Sequence, residues 1–138
     1  MFGPNMAKRL TKALRGKRRW VGVFVNPRYQ TRSSLAGLVN SITANIESNR
    51  AIKLMDFFAS TDDNAVKSLE HISNDYDDVE TNAGVAILQV PLKQSQGLRN
   101  LLETEKALDN IGIKSFTTSG KIRLVRERMA LPKPARKK

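Results

Sequence analysis

Hydrophobic and polar positions change period several times along this chain, and each change marks an element. Arg19 to Val25 (RWVGVFV) is a run of β-branched and aromatic residues that stops at Asn26-Pro27, the pattern of a strand. Both of its faces are apolar toward the end, which predicts a central position in a sheet. From Thr31 to Ile46 the period becomes helical: Leu35, Leu38, Val39, Ile42 and Ile46 share one face, with Thr31 or Ser33 placed to cap it. Ile52 to Phe58 returns to a strand, with Ile52, Leu54, Asp56 and Phe58 on one side and Lys53, Met55 and Phe57 on the other. Gly84 to Val90 (GVAILQV) alternates clearly, and Pro91 closes it. Gln94 to Asn110 reads as one helix whose Leu98, Leu101, Leu102 and Leu108 line the core, with Gly112 just beyond its end. Ile111 to Thr117 is a fourth strand, broken by Ser119-Gly120.

Three segments lie outside this alternation. Ala7 to Arg15 can form a short basic helix with Leu10 and Leu14 on one side, ended by Gly16. Ser60 to Asn82 is acidic; Asp62-Asp63 can cap a brief helix through Val66, Leu69 and Ile72 before NDYDDVETN, which reads as an exposed loop. Lys121 to Met129 predicts a short basic helix, and the tail from Pro132 onward reads as disordered.

The order after the first helix is β-α-β-β-α-β. This is an α+β chain with a ferredoxin-like, or RRM-like, antiparallel sheet and extra basic helices at both termini. The expected organisation is a basic arm over 1–16, a domain over 17–129 carrying the acidic insertion 60–82, and a basic tail over 130–138. The expected spatial order is 4-1-3-2, with two helices on one face and the other face open. On that layout the two basic segments are expected to join the sheet at opposite ends and to bracket an extended polyanion across the open face.

Charge sharpens this picture. The net charge is +11, but residues 1–19 carry +7, residues 114–138 carry +8, and the body between them carries −4. Two basic arms on an acidic globule point to a polyanionic partner touched by the arms, while the globule does something else. Trp20 and Phe24 share a parity on the first strand, so they are candidates to stack bases; packing into a core or against a protein partner is the alternative. The third strand offers no aromatic to such a surface.

Other chemistry is sparse. There is no cysteine, which removes disulfides and thiolate catalysis, and His71 is the only histidine. Asp75, Asp77, Asp78 and Glu80 crowd together, but the glycine and closing glutamate of a calcium loop are missing, so a solvated loop is expected. No phosphate-binding glycine pattern occurs. No cofactor and no metal bound by the chain itself are expected, nor any catalytic residue. No apolar run spans a bilayer, no secretory h-region follows the basic start, and Met6-Ala7 reads as an alternative start.

KRRWVGVFV, GVAILQVP and FTTSGKIRLVRER together resemble ribonuclease P protein component 2, the small archaeal and eukaryotic subunit with an RRM-like sheet. The likeness spans about residues 17–128, with Lys121 standing where that family usually has Thr, and with a longer acidic segment at 60–82. The resemblance implies a subunit of the ribonucleoprotein that removes 5′ leaders from precursor tRNA, in which the RNA with Mg²⁺ performs the hydrolysis. It implies RNase P RNA, precursor tRNA, a barrel-fold protein subunit and the other RNase P proteins as partners, with no membrane. The compartment would be cytoplasmic, or nuclear or nucleolar in a eukaryote. Lys17, Arg18, Arg19, Ser119, Gly120, Lys121, Arg123, Arg126 and Arg128 would be the RNA contacts. A ribosomal or ribosome-associated protein is the alternative from composition alone, and an autonomous metal-dependent nuclease using the acidic loop is the third reading.

Overall fold

The computed structural model describes residues 18–45, 52–75, 82–104 and 106–132. In chain order the elements are β1 (Arg18–Val25), α1 (Arg32–Asn45), β2 (Lys53–Phe58), α2 (Asp63–Asp75), β3 (Gly84–Pro91), α3 (Leu92–Leu102), α4 (Ala107–Asn110), β4 (Ile113–Ser119) and α5 (Ile122–Arg128). The four strands form one antiparallel sheet in the order β2-β3-β1-β4. This is the ferredoxin-like arrangement that the alternation of periods predicts. The N-terminal basic helix, the loop 76–81 with Asp77, Asp78 and Glu80, and the last six residues lie outside the described residues.

The first face of the sheet follows directly from the sequence pattern. Val21, Val23 and Val25 of β1 meet Ala86, Leu88 and Val90 of β3, and α1 and α3 lay Leu35, Val39, Ile42, Leu98 and Leu102 over them. Thr31 caps α1, its Oγ1 accepting the Ser34 N–H at 3.2 Å. At the far end of β1, the Asn26 Oδ1 accepts the Arg28 N–H at 3.0 Å, the turn that Asn-Pro predicts. Asn26 also binds the start of β4, its N–H donating to the Gly112 carbonyl at 2.8 Å.

The second face is not open. Phe24, Val85 and Ile87 are buried there under Ala65, Leu69 and Ile72 of α2, and under Val125, Met129 and Leu131 in and after α5. The sheet therefore carries helices on both faces, against the expectation of one bare surface. The Asp62 Oδ1 accepts the Asn64 N–H at 2.8 Å and starts α2 as the sequence suggests. The buried stripe, however, is Ala65, Ser68, Leu69 and Ile72, and Val66 points away with 45% exposure.

Two β-bulges shape this second face. In β2 the register shifts between Leu54 and Asp56, and in β4 it shifts opposite Gly22 and Val23, which pair with Thr117 and Ser115. A bulge inverts the parity of everything after it. Leu54 and Phe57 thus face the first core while Met55 and Phe58 pack into the second. Asp56, paired with Ile87, is carried to the second face as well. Phe116 is aimed at Phe24, the two rings lying 5.4 Å apart and tilted by 49°.

The helix expected over Gln94–Asn110 is two helices, α3 and α4. Leu98 and Leu102 belong to the first core and Leu108 to the second, and one straight helix does not serve both. Gly112, at φ +116°, turns the chain into β4 in a backbone region that L side chains avoid.

Candidate nucleic-acid interface

Antiparallel pairing decides where the basic segments meet. β1 runs against β4 with Trp20 opposite Ser119, so the start of one strand and the exit of the other lie at the same end of the sheet. The sequence expectation had the two arms joining at opposite ends; reversing one strand of a pair brings the first residue of one beside the last residue of the other. Arg19 and Gly120 are in contact: a Cβ built on Gly120 would stand 2.9 Å from the Arg19 Nη1.

The other two strands bring charge to this same end. Arg18 lies opposite Pro91, which puts exposed Lys93, near the start of α3, beside it. Lys53 opens β2 opposite Gln89, the residue that also pairs with Trp20. Among the described residues, the strand termini on this side thus carry Arg18, Arg19, Lys53, Lys93 and Lys121 and no acid, whereas Asp62, Asp63 and Asp109 mix with Arg28 and Lys114 at the other. The pattern of single strands pointed to neither Lys53 nor Lys93. The signal that finds them is the register of the sheet, which lines up strand ends far apart in sequence. Adjacent strands stand about 4.8 Å apart, so the row from β2 to β4 is about 14 Å wide.

The C-terminal residues divide into three kinds. Lys121 and Arg123 are exposed, the Arg123 side chain by 63%, and Arg123 has only a 4.0 Å approach to Glu127. Such a pair on an exposed helix face leaves the guanidinium available to another anion. Arg128 Nη1 donates to Thr117 Oγ1 at 2.8 Å and to the Thr118 carbonyl at 3.1 Å, yet the residue stays exposed. Arg126 is different. Its Nε and Nη2 donate to Asp56 Oδ2 and Oδ1 at 2.8 and 3.1 Å, with both side chains mostly buried. A planar fork matched to a carboxylate and shielded from water is committed, and Arg126 does not belong with the exposed contacts.

The remaining candidates are placed as follows. Lys17 lies outside the described residues. Ser119 Oγ accepts the Lys121 N–H at 3.2 Å, so that amide is used within the turn instead of standing free for a phosphate. Phe24 is 4% exposed and packed on Phe116, which removes it as a base-stacking surface. Trp20 is half-buried against the second core, and its Nε1 is buried with no hydrogen-bond partner among the described residues. Both aromatics are core, as the alternative reading of them had it, because α5 occupies the face they would need.

Among the described residues no group of three or more His, Cys, Asp or Glu is placed to hold a metal ion. No helix of the described residues is long and apolar enough to cross a membrane. Comparison with protein-family models, with curated proteins and with solved structures returns no match.

Proposed function

We propose that this chain is an RNA-binding protein subunit of an RNase P-type ribonucleoprotein, which removes 5′ leaders from precursor tRNA. The observation that carries this reading is the meeting of Arg18 and Arg19 with Ser119, Gly120 and Lys121 at one end of the sheet. These residues belong to the first and last of the segments that resemble ribonuclease P protein component 2. The fold brings them side by side, with Lys53 and Lys93 extending the row. A surface of this kind grips phosphates and positions a structured RNA without reading bases. In this reading the RNA, with Mg²⁺, performs the hydrolysis and the chain supplies no catalytic group. The outer surfaces of the helices and the acidic segment are left to protein partners, including a barrel-fold subunit.

The test is reconstitution. The chain alone should not cleave precursor tRNA, and adding it with its partner proteins to an RNase P RNA should raise 5′-leader cleavage. Failure to stimulate any such RNA sinks the proposal. Sequencing the RNA that co-purifies with the tagged chain is the complementary measurement: ribosomal RNA in place of a small RNA would favour the ribosomal reading. Replacing Arg18, Arg19 and Lys121 by Ala should weaken RNA binding without altering the circular dichroism spectrum. For every phosphate no longer neutralised, the slope of log K against log salt should become shallower by about 0.7–0.9.

A further inference from the structure

The buried arginine of α5 has a bearing on the exposed ones. A helix of 7 residues is too short to hold itself in water, so its orientation comes from what it touches. Arg126 ties it to Asp56 on β2, one edge of the sheet, and Arg128 ties it to Thr117 and Thr118 on β4, the opposite edge. Between those tethers α5 rests on bare backbone. A Cβ added at Gly22 of β1 would collide with Met129 Sδ and stand 2.9 Å from Val125 Cγ1. Asp56 reaches this side of the sheet only because the bulge in β2 shifts its parity, and it meets an arginine 70 positions away.

Lys121 and Arg123 leave from the beginning of this helix and Arg128 from its end. Resting on the RNA-binding reading above, we propose that Asp56 is a positioning residue for RNA binding. By holding Arg126 it lays α5 across the sheet, so that Lys121, Arg123 and Arg128 meet RNA together with Arg18 and Arg19. Asp56 itself touches no RNA.

This assigns an acidic side chain a favourable effect on binding a polyanion, which gives the test its sign. Asp56→Asn raises the net charge of +11 by one, and long-range electrostatics alone predicts tighter binding. Positioning predicts binding weaker by about fivefold or more and a salt slope shallower by about one to two units. Wild type, Asp56→Asn, Arg126→Gln and the exchanged pair Asp56→Arg/Arg126→Asp are compared on a labelled RNA hairpin across a potassium chloride titration. Trp20, the sole tryptophan, lies in the cluster under α5 and reports its docking by fluorescence. The exchanged pair should recover most of the affinity and the Trp20 emission that Arg126→Gln loses, which a direct Arg126–phosphate contact does not allow.

Asp56→Asn that is folded and binds as tightly as wild type, or tighter, overturns the proposal. If Asp56→Asn does not fold, the exchanged pair against Arg126→Gln decides, and an exchanged pair that restores the emission but not the affinity overturns it equally. Wild type that binds the hairpin without salt dependence, or not at all, overturns the RNA reading itself.

Discussion

The two faces of the sheet are closed by different means. On the first, α1 and α3 supply apolar side chains to an apolar sheet, and α3 begins where β3 ends. On the second, α2 and a seven-residue α5 also bury an apolar cluster, but the face carries besides it a glycine, a mostly buried ion pair and two buried polar atoms, Trp20 Nε1 and Ser68 Oγ, that lack partners among the described residues. Burying hydrocarbon is non-directional and tolerates small shifts; an arginine fork and a helix seated on bare backbone do not. The first face should therefore set global stability, and the second should open first.

The strongest challenge to that contrast is Leu98→Ala. Leu98 is fully buried in the first core, and its truncation should cost about 3 kcal/mol or more. Circular dichroism and Trp20 emission should then be lost together in urea. Gly22→Ala should cost about 2 kcal/mol through overpacking against Met129 and Val125, with Trp20 emission changing at lower urea than circular dichroism. If those two signals coincide for Gly22→Ala, the second face is not the weaker one.

Smaller changes sharpen the comparison. Ala130 stands at φ +52° just after α5, where the Leu131 N–H reaches back to the Arg126 carbonyl at 2.9 Å. This is the stop that glycine usually makes, so Ala130→Gly should stabilise the second face by about 0.5 kcal/mol, read as a raised urea midpoint for Trp20 emission. Val66→Lys, on the outward side of α2, should move either midpoint by less than about 0.5 kcal/mol. A larger loss would show that the outer side of α2 is covered.

What the sequence made legible, and what it hid, follows the same division. The strands and the α1 face are visible because each depends on near neighbours, two positions away in a strand, as Val21, Val23 and Val25 show, and three or four in a helix, as Leu35, Val39 and Ile42 show. α2 and α5 are also visible as helices, from Asp62 and from the apolar spacing. Their resting place is not, because it depends on Asp56 finding Arg126 across 70 residues and on bulges that leave no mark in a simple alternation. The candidate interface was half legible: Arg18, Arg19 and Lys121 stand out as charge runs, while Lys53 and Lys93 join them only through register. Arg126 looks like its exposed neighbours in sequence, and only its burial separates it from them.

Both outer strands of the sheet are occupied by more than their own pairing. On β2, Arg32 donates to the carbonyls of Leu54 and Met55; on β4, Arg128 donates to the carbonyl of Thr118; and each of the two strands is kinked by its bulge. A flat strand with free carbonyls invites another copy to zip on, and such growth ends in fibres. Here an incoming strand would have to evict an arginine at either edge and then follow a bend. Two arginines, one from the acidic body and one from the basic C-terminal segment, thus stand in the way of a fifth strand.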